Sequence, residues 1–124
     1  MDRCLQDAVA HPLDKEYEFL RILIPTDCQN VAIVALNRPR KRNAIHGILF
    51  KEIGSVFSRL GRIGDDTRAV LLVGFGSSFC AGIDLTDNSL VAFSNDEEGD
   101  IARTGMASVL PIVRDMQACF TALE

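Results

Sequence analysis

Two apolar runs separated by a helical pattern restrict this chain to a small set of folds. The first run, Val31 to Leu36, is rich in β-branched residues, which favour strands. The second run, Ala69 to Val73, lacks polar alternation, as expected for a strand covered on both faces in a parallel sheet. Between the runs, apolar side chains follow helical spacing at Ile48, Leu49, Ile53, Val56, Phe57 and Leu60. The order strand, helix, strand predicts a βαβ crossover and an α/β fold.

The residues before the first run predict a hairpin preceded by an arm. Tyr17 to Ile24 alternates apolar and polar residues, and it stops at Pro25-Thr26-Asp27, which are turn formers. We therefore expect a strand over Tyr17 to Ile24 that pairs with Val31 to Leu36. Residues 1–16 show no clean period, so the sequence predicts a loose N-terminal arm there.

A second helical pattern occupies the last residues of the sequence, after an acidic loop at Asp96 to Asp100. Its apolar face is formed by Met106, Val109, Leu110, Val113, Met116, Phe120 and Leu123. Pro111 lies inside this pattern and is expected to kink the helix or to reset its start. The pattern still runs at Glu124 without a Gly or Asn cap, so the sequence is expected to be cut rather than finished.

Composition indicates a globular protein and excludes several functional classes. Of 124 residues, 48% are apolar and 24% are charged, which predicts one globular domain. The longest apolar runs are far shorter than the roughly 20 residues that span a bilayer, and the first residues show no signal or transit pattern. We therefore expect a soluble intracellular protein, with mitochondrial matrix, peroxisome-like organelle and cytoplasm not distinguished. A net charge of −4 disfavours general nucleic-acid binding.

Several known site patterns do not fit the sequence. The cysteines lack C-x-x-C spacing and are expected to be reduced and free of zinc: Cys4, Cys28, Cys80 and Cys119. A calcium loop beginning at Asp84 is rejected because Ser89 stands where that loop needs glycine. The segment Gly74-Phe75-Gly76-Ser77-Ser78-Phe79 matches neither a nucleotide-binding loop nor a nucleophile elbow. No metal site is therefore predicted.

The segment 77–85, Ser-Ser-Phe-Cys-Ala-Gly-Ile-Asp-Leu, follows the second apolar run. The carboxyl end of a strand is where α/β folds bind ligands. Small Ala81 and Gly82 allow a ligand to approach the backbone, and Asp84 is a candidate N-cap for a short helix over Leu85 to Phe93. The N–H of Ile83 would then stabilise negative charge on a carbonyl oxygen, as in an oxyanion hole. The alternative is a tight turn without function, which spacing alone favours.

The segment 37–44, Asn-Arg-Pro-Arg-Lys-Arg-Asn-Ala, follows the first apolar run. It places four cations in five positions: Arg38, Arg40, Lys41 and Arg42. Such a cluster suits phosphate groups, because Arg pairs with them bidentately and Lys acts as a point charge. A solvated charged loop is the alternative.

Taken together, the two segments resemble the crotonase family, the enoyl-CoA hydratases and isomerases. The resemblance rests on Leu36-Asn37-Arg38-Pro39-x-x-x-Asn43-Ala44, a following amphipathic helix, and Phe79-Cys80-Ala81-Gly82-Ile83-Asp84-Leu85. The order and separation of the two motifs are more specific than either motif alone. Within the family, the sequence is most similar to the Δ3,5-Δ2,4-dienoyl-CoA isomerases.

The resemblance implies a fold of ββα repeats and usually a trimer or hexamer. Residues 17–124 would be the N-terminal portion of this acyl-CoA-binding domain, truncated before its catalytic half. It implies that the thioester carbonyl of an acyl-CoA lies between two backbone amides, the first of which is the Ile83 N–H. The residues expected to line the thioester and pantetheine are Ala81, Gly82, Ile83, Asp84 and Leu85. Those expected near the rest of coenzyme A are Arg38, Arg40, Lys41, Arg42 and Ala44. Coenzyme A is part of the substrate, so no separate cofactor is expected.

The resemblance also implies that important parts lie beyond this sequence. Family members are about twice as long, and the second amide and the acid/base carboxylates belong to the missing part. The interpretation is therefore the acyl-CoA-binding portion of a dienoyl-CoA isomerase of fatty-acid β-oxidation, nearly inactive alone. The alternative is a truncated, non-catalytic paralogue that binds CoA or an assembly partner. A small phosphate- or nucleic-acid-binding module is a third hypothesis.

Overall fold

A mixed sheet forms the centre of the structure. The computed structural model describes residues 7–60, 67–87 and 106–121. Within these residues four strands lie in the order β1-β2-β3-β4, namely β1 (Ala8–Ala10), β2 (Leu20–Pro25), β3 (Val31–Leu36) and β4 (Ala69–Gly74). The pairs β1–β2 and β2–β3 are antiparallel, whereas β3 and β4 are parallel. The predicted hairpin is therefore confirmed.

The predicted βαβ crossover is also confirmed. Helix α1 (Gly47–Leu60) connects β3 to β4, whose parallel register runs from Val31 opposite Ala69 to Leu36 opposite Gly74. One face of α1 is apolar and packs on the sheet, with Leu49, Phe50, Ile53, Val56 and Leu60 all buried. Burial of one such aliphatic side chain stabilises a fold by about 1.5–3 kcal/mol, so this face fixes the helix above β2 and β3.

Both faces of the sheet carry buried apolar residues. The face under α1 contributes Leu20, Ile22, Ala32, Val34 and Leu36. The opposite face carries a smaller cluster made of Leu23, Ile33, Ala35 and Val73. Because side chains alternate between the two faces along a strand, β3 is apolar throughout and serves both clusters.

Helix α2 (Met106–Thr121) packs against α1. The Cys119 side chain lies over Gly54, where an added Cβ would be 2.9 Å from the sulfur, and the rings of Phe50 and Phe120 meet edge to face at 5.6 Å. The helix includes Pro111, so the proline does not reset its start as one reading of the sequence proposed. No helix in the described ranges is long and apolar enough to cross a membrane.

The expectation of a loose arm over residues 1–16 is wrong for the part that the structure describes. Strand β1 pairs with β2, and a 3-10 helix follows at Pro12–Glu16. The buried carboxylate of Asp14 holds this segment, because it accepts hydrogen bonds from the Arg21 side chain at 2.9 Å and the Ile22 N–H at 2.7 Å. These contacts are made to β2 and leave no periodic signal in residues 1–16.

Two further strand predictions need correction. Strand β2 begins at Leu20 instead of Tyr17, because the Glu52 carboxylate on α1 accepts the N–H groups of Glu18 and Phe19 at 2.8 and 3.0 Å. Strand β4 is not covered on both faces by the described residues, since Val70 is 39% and Leu71 48% exposed. It forms one edge of the described sheet.

Three sequence predictions fall partly or wholly outside the described residues. The helix expected over Leu85 to Phe93 is described only as far as Asp87, where the backbone forms a turn. The acidic loop predicted at Asp96 to Asp100 lies outside the described ranges. So does the end of the second helical pattern, after Thr121.

Candidate functional site

The loop after β4 folds back onto the residues after β3. Gly74 ends β4 in a position without room for a side chain, since an added Cβ would lie 2.4 Å from the Phe79 carbonyl oxygen. Gly76 has a φ of +90°, and a Cβ there would meet Pro39 at 2.9 Å. These two glycines let the loop lie directly against the 3-10 helix Pro39–Lys41.

The side chain of Asn43 joins the two loops. It is fully buried, and its Nδ2 donates to the carbonyl oxygens of Phe75 at 2.9 Å and Ser78 at 2.8 Å. Its Oδ1 accepts the Arg38 N–H at 2.8 Å. Asn43 adopts a φ of 55°, a left-handed conformation that asparagine tolerates better than most residues. All hydrogen-bonding atoms of this side chain thus hold loop backbone.

The guanidinium of Arg38 makes a second connection. Its Nη2 lies 3.1 Å from Oδ2 of Asp84, and its Nη1 donates to the carbonyl oxygen of Ala44. The same group lies over the ring of Phe19 at 5.6 Å from the centroid, within the range of a cation–π contact. Only 15% of the Arg38 side chain and 7% of the Asp84 side chain are exposed. The pair is therefore largely shielded from water.

A short parallel bridge between Ile45 and Ile83 lies beside this ion pair. The Ile45 N–H donates to the Gly82 carbonyl at 2.8 Å, and the Asp84 N–H donates to the Ile45 carbonyl at 2.9 Å. N–H groups of successive residues in an extended segment point to opposite sides, so the Ile83 N–H points away from Ile45. No acceptor in the described residues binds it, and Ile83 itself is 51% exposed.

The backbone around Ile83 is accessible. Ala81, Gly82 and Leu85 are exposed, and a Cβ added to Gly82 would have no heavy atom within 4 Å. Gly82 has a φ of +89°, which a residue with a side chain rarely adopts. The segment therefore presents an accessible backbone, with an amide donor that no described residue pairs, in the loop that follows the parallel strand β4.

The Asp84 carboxylate organises the turn that follows. Its Oδ1 accepts the Thr86 hydroxyl at 2.6 Å and the Thr86 N–H at 3.0 Å. These hydrogen bonds, followed by the contact with Arg38, lower the pKa of Asp84 from its ordinary value of 3.8 to about 2. Next along the chain, Asp87 accepts the Gly47 N–H at 2.8 Å at the start of α1.

His46 lies next to this network. Its ring meets Phe19 edge to face at 4.4 Å. Its Nδ1 is buried and has no hydrogen-bond partner within the described part of the chain. Burial, together with the nearby Arg38 charge, lowers the pKa of His46 below its ordinary value of 6.5, so the neutral imidazole is favoured.

The remaining cations of the basic segment point to solvent. Arg40, Lys41 and Arg42 are all exposed. A surface cavity of about 280 Å³ lies beside them and is lined by Phe19, Asn37, Arg38, Pro39, Arg40 and Lys41. The cavity offers cationic side chains to an anionic ligand, and the Ile83 amide, which does not line it, offers a separate hydrogen-bond donor to a carbonyl oxygen.

The structure thus brings both predicted segments together and separates their residues into two groups. Ala81, Gly82, Ile83 and Leu85 are exposed, whereas Asp84 and the half-buried Arg38 and Ala44 hydrogen-bond to the protein itself. Sequence reasoning assigned no role to Asn43, His46 or Asp87. Asn43 stands inside the motif on which the resemblance rests, and this position was the signal that could have identified it.

Comparison with known proteins shows the family to which this chain belongs. The sequence model of the enoyl-CoA hydratase/isomerase family matches residues 26–106. The chain belongs to the enoyl-CoA hydratase/isomerase family, which is the crotonase family that the sequence resembles. Described residues of both segments lie inside the matched range.

Particular relatives include both isomerases and hydratases. The human mitochondrial Δ(3,5)-Δ(2,4)-dienoyl-CoA isomerase is 42% identical over 81 residues, covering 64% of this chain and 24% of that protein. The rat mitochondrial enzyme of the same name is 39% identical over 112 residues, covering 90% of this chain and 32% of that protein. A probable enoyl-CoA hydratase of Mycobacterium tuberculosis, echA6, is 32% identical over 88 residues, covering 71% and 35%. The matches thus span about a quarter to a third of these relatives.

Solved structures show the same fold. A putative enoyl-CoA hydratase from Streptomyces coelicolor superimposes with a TM-score of 0.66 at 30% identity, covering 93% of this chain and 36% of that one. An enoyl-CoA hydratase/isomerase from Mycobacterium abscessus gives 0.54 at 32% identity, covering 65% and 30%. The predicted crotonase-like fold class is therefore confirmed.

Proposed function

We propose that this chain is the acyl-CoA-binding portion of a dienoyl-CoA isomerase of fatty-acid β-oxidation. The observation that carries the proposal is the orientation of Ile83. Its N–H has no acceptor among the described residues, points away from the bridge to Ile45 and lies beside the open backbone at Gly82. An amide donor held in this way hydrogen-bonds a thioester carbonyl and stabilises the enolate-like oxygen that forms when a neighbouring proton is removed.

Binding of the rest of coenzyme A is assigned to the exposed basic segment. Arg40, Lys41 and Arg42 supply positive charge that suits its phosphates, whereas Arg38 is engaged with Asp84 and Ala44. The pantetheine would lie along the exposed backbone of Ala81 and Gly82, where small residues permit close approach.

Isomerase chemistry is preferred to hydration for two reasons. The family motifs in this sequence are most similar to the dienoyl-CoA isomerases, and the human enzyme of that name is 42% identical over the matched 81 residues. Proton removal and return by carboxylates complete such an isomerisation, and we assign neither step to a residue of this chain. On its own the chain is expected to bind acyl-CoA and to turn it over very slowly.

Calorimetric titration of the chain with a 3,5-dienoyl-CoA, and separately with free CoA, tests the binding proposal. We expect saturable binding, tighter for the thioester because only it offers a carbonyl to Ile83. Ala81→Trp should abolish binding by filling the approach to the backbone. Ala10→Trp makes the same change at an exposed position on β1, at the opposite edge of the sheet, and should leave affinity unchanged.

Absence of saturable binding to the folded chain, or equal losses of affinity in both tryptophan variants, would contradict the proposal.

Ultraviolet absorbance distinguishes isomerisation from hydration. The measurement uses a protein of the relatives' length that contains this sequence. Isomerisation of a 3,5-dienoyl-CoA brings its double bonds into conjugation with the thioester and raises the absorbance. Hydration of a 2-enoyl-CoA removes conjugation and lowers it, whereas binding without either change favours a non-catalytic protein.

A further inference from the structure

We infer that Arg38 is a positioning residue for the Ile83 amide and does not bind the phosphates of coenzyme A. The inference rests on the proposed function, in which that amide hydrogen-bonds the thioester carbonyl. It assigns Arg38 a different role from the other three cations of the same segment, Arg40, Lys41 and Arg42.

The guanidinium of Arg38 hydrogen-bonds on both sides of the bridge that orients the amide. Nη1 donates to the Ala44 carbonyl, and Nη2 lies 3.1 Å from the Asp84 carboxylate. The acceptors flank the Ile45–Ile83 bridge, since Ala44 precedes Ile45 and Asp84 follows Ile83. One planar group therefore links the two segments beside the amide that is to bind the carbonyl. A guanidinium holds both acceptors with the fixed geometry of its planar fork, whereas the compact ammonium of lysine imposes no such geometry.

Arg38 and Asp84 are also largely buried. The Arg38 side chain is 15% exposed and the Asp84 side chain 7%, and the guanidinium lies over the Phe19 ring. Moving Arg38 to a phosphate would leave the Asp84 carboxylate shielded from water without its cation, which is strongly unfavourable. The exposed Arg40, Lys41 and Arg42 face no such penalty.

Arg38 is held by hydrogen bonds of its backbone as well. Its N–H donates to Oδ1 of Asn43 at 2.8 Å, and its carbonyl accepts the Asn43 N–H at 2.9 Å. The Nδ2 of Asn43 in turn holds the carbonyls of Phe75 and Ser78 in the loop that leads to Ile83. The backbone of Arg38 and its side chain thus both contact the structure that orients the amide.

Amide hydrogen exchange without any ligand tests the positioning directly. In the wild-type chain the N–H groups of Ile45 and Asp84, which form the bridge, should be protected. Arg38→Met keeps an apolar stem over Phe19 but removes the fork, and should accelerate exchange at both amides by roughly tenfold or more. Arg40→Met is the matched control and should leave both rates unchanged, as should the amides of β2 and β3 in all variants.

A second readout uses a dienoyl-CoA labelled with ¹³C at the thioester carbonyl. Hydrogen bonding by the Ile83 amide should shift the carbonyl resonance on binding to the wild-type chain. Arg38→Met should lose most of this shift while affinity for free CoA changes less than twofold. Arg40→Met should do the reverse, weakening free CoA and keeping the carbonyl shift. Arg38→Lys retains the charge without the planar fork, and should therefore keep only part of the carbonyl shift.

The outcomes separate this inference from the proposed function. If Arg38→Met, or Arg38→Lys should the former not fold, weakens free CoA as much as Arg40→Met does and leaves bridge exchange unchanged, Arg38 binds phosphate and the inference is wrong. If the wild-type chain binds no dienoyl-CoA, or binds it without a carbonyl shift, the proposed function fails. The exchange rates at Ile45 and Asp84 then still decide whether Arg38 orients this segment.

Discussion

The Nδ2 of Asn43 lies 2.8 Å from the position that a Cβ on Gly74 would occupy. The end of β4 and the loop after β3 are therefore in contact through a fully buried side chain. The same side chain donates to the carbonyls of Phe75 and Ser78, in the loop that leads to Ile83.

Gly74→Ala should destabilise the chain by about 1–3 kcal/mol, because overpacking forces backbone to move. The added methyl would meet the Phe79 carbonyl oxygen at 2.4 Å as well as Asn43. Urea unfolding monitored by circular dichroism measures the loss. Ser77→Ala, at an exposed position of the same loop, is the control and should change little. Equal stability of Gly74→Ala and wild type would contradict this prediction, because it would mean that the loop moves to accept the methyl group without loss of stability.

Asn43→Ala should destabilise the chain by roughly 2–4 kcal/mol, since it leaves three partly buried backbone groups without this partner. Asn43→Asp tests which of the hydrogen bonds matter. It keeps the acceptor for the Arg38 N–H but loses both donations, to Phe75 and Ser78, and adds a buried charge. We therefore expect it to be at least as destabilising at pH 7. Wild-type stability of Asn43→Asp in urea would contradict the donor role.

Asp84 makes stability depend on acid pH. Its folded-state pKa of about 2 lies below the ordinary value of 3.8, so the unfolded chain binds more protons in this range. Its contribution should be complete above about pH 4 and should be lost as the pH falls towards 2. The urea midpoint measured across this range should fall less steeply for Asp84→Asn than for wild type. Parallel curves would show that Asp84 does not contribute.

His46 should titrate below 6.5 in the folded chain, because burial and the Arg38 charge disfavour the imidazolium. Since the unfolded chain takes up the proton first, stability should be complete above pH 6.5 and decline below it. Proton NMR of the imidazole measures the pKa directly. His46→Phe keeps an aromatic edge against Phe19 and should reduce the decline in the urea midpoint below pH 6.5. A pKa at or above 6.5 would contradict this prediction.

Sequence patterns predicted the elements whose stability comes from their own apolar periodicity. The bounds of β3 agree with its apolar run, α1 begins one residue before its predicted first apolar position, and β4 extends its run by one residue. Strand β1 was missed because Val9 and Ala10 are exposed and the strand is held by its pairing with β2. A strand that buries few side chains shows no alternation of apolar and polar residues in its sequence.

The candidate site was predicted only in part, because sequence patterns report local features and not tertiary contacts. Ile83, Ala81 and Gly82 were found because small residues and a motif after a strand are local features. The role of Arg38 was not visible, since its partner Asp84 lies 46 residues away and four neighbouring cations look alike in a sequence. Which of them is shielded from water is a property of the tertiary structure.

The register of the sheet also bears on the order in which this chain folds. Val34 pairs with Ile22 across a short turn, and with Leu72 only after the whole of α1 has been crossed. Closing a longer loop costs more chain entropy, so the hairpin β2–β3 is expected to form before β4 docks. The contacts of Arg38 and Asn43 with residues 75–84 depend on that docking. The oriented amide is therefore expected to be among the last features to form and the first to be lost when the chain opens.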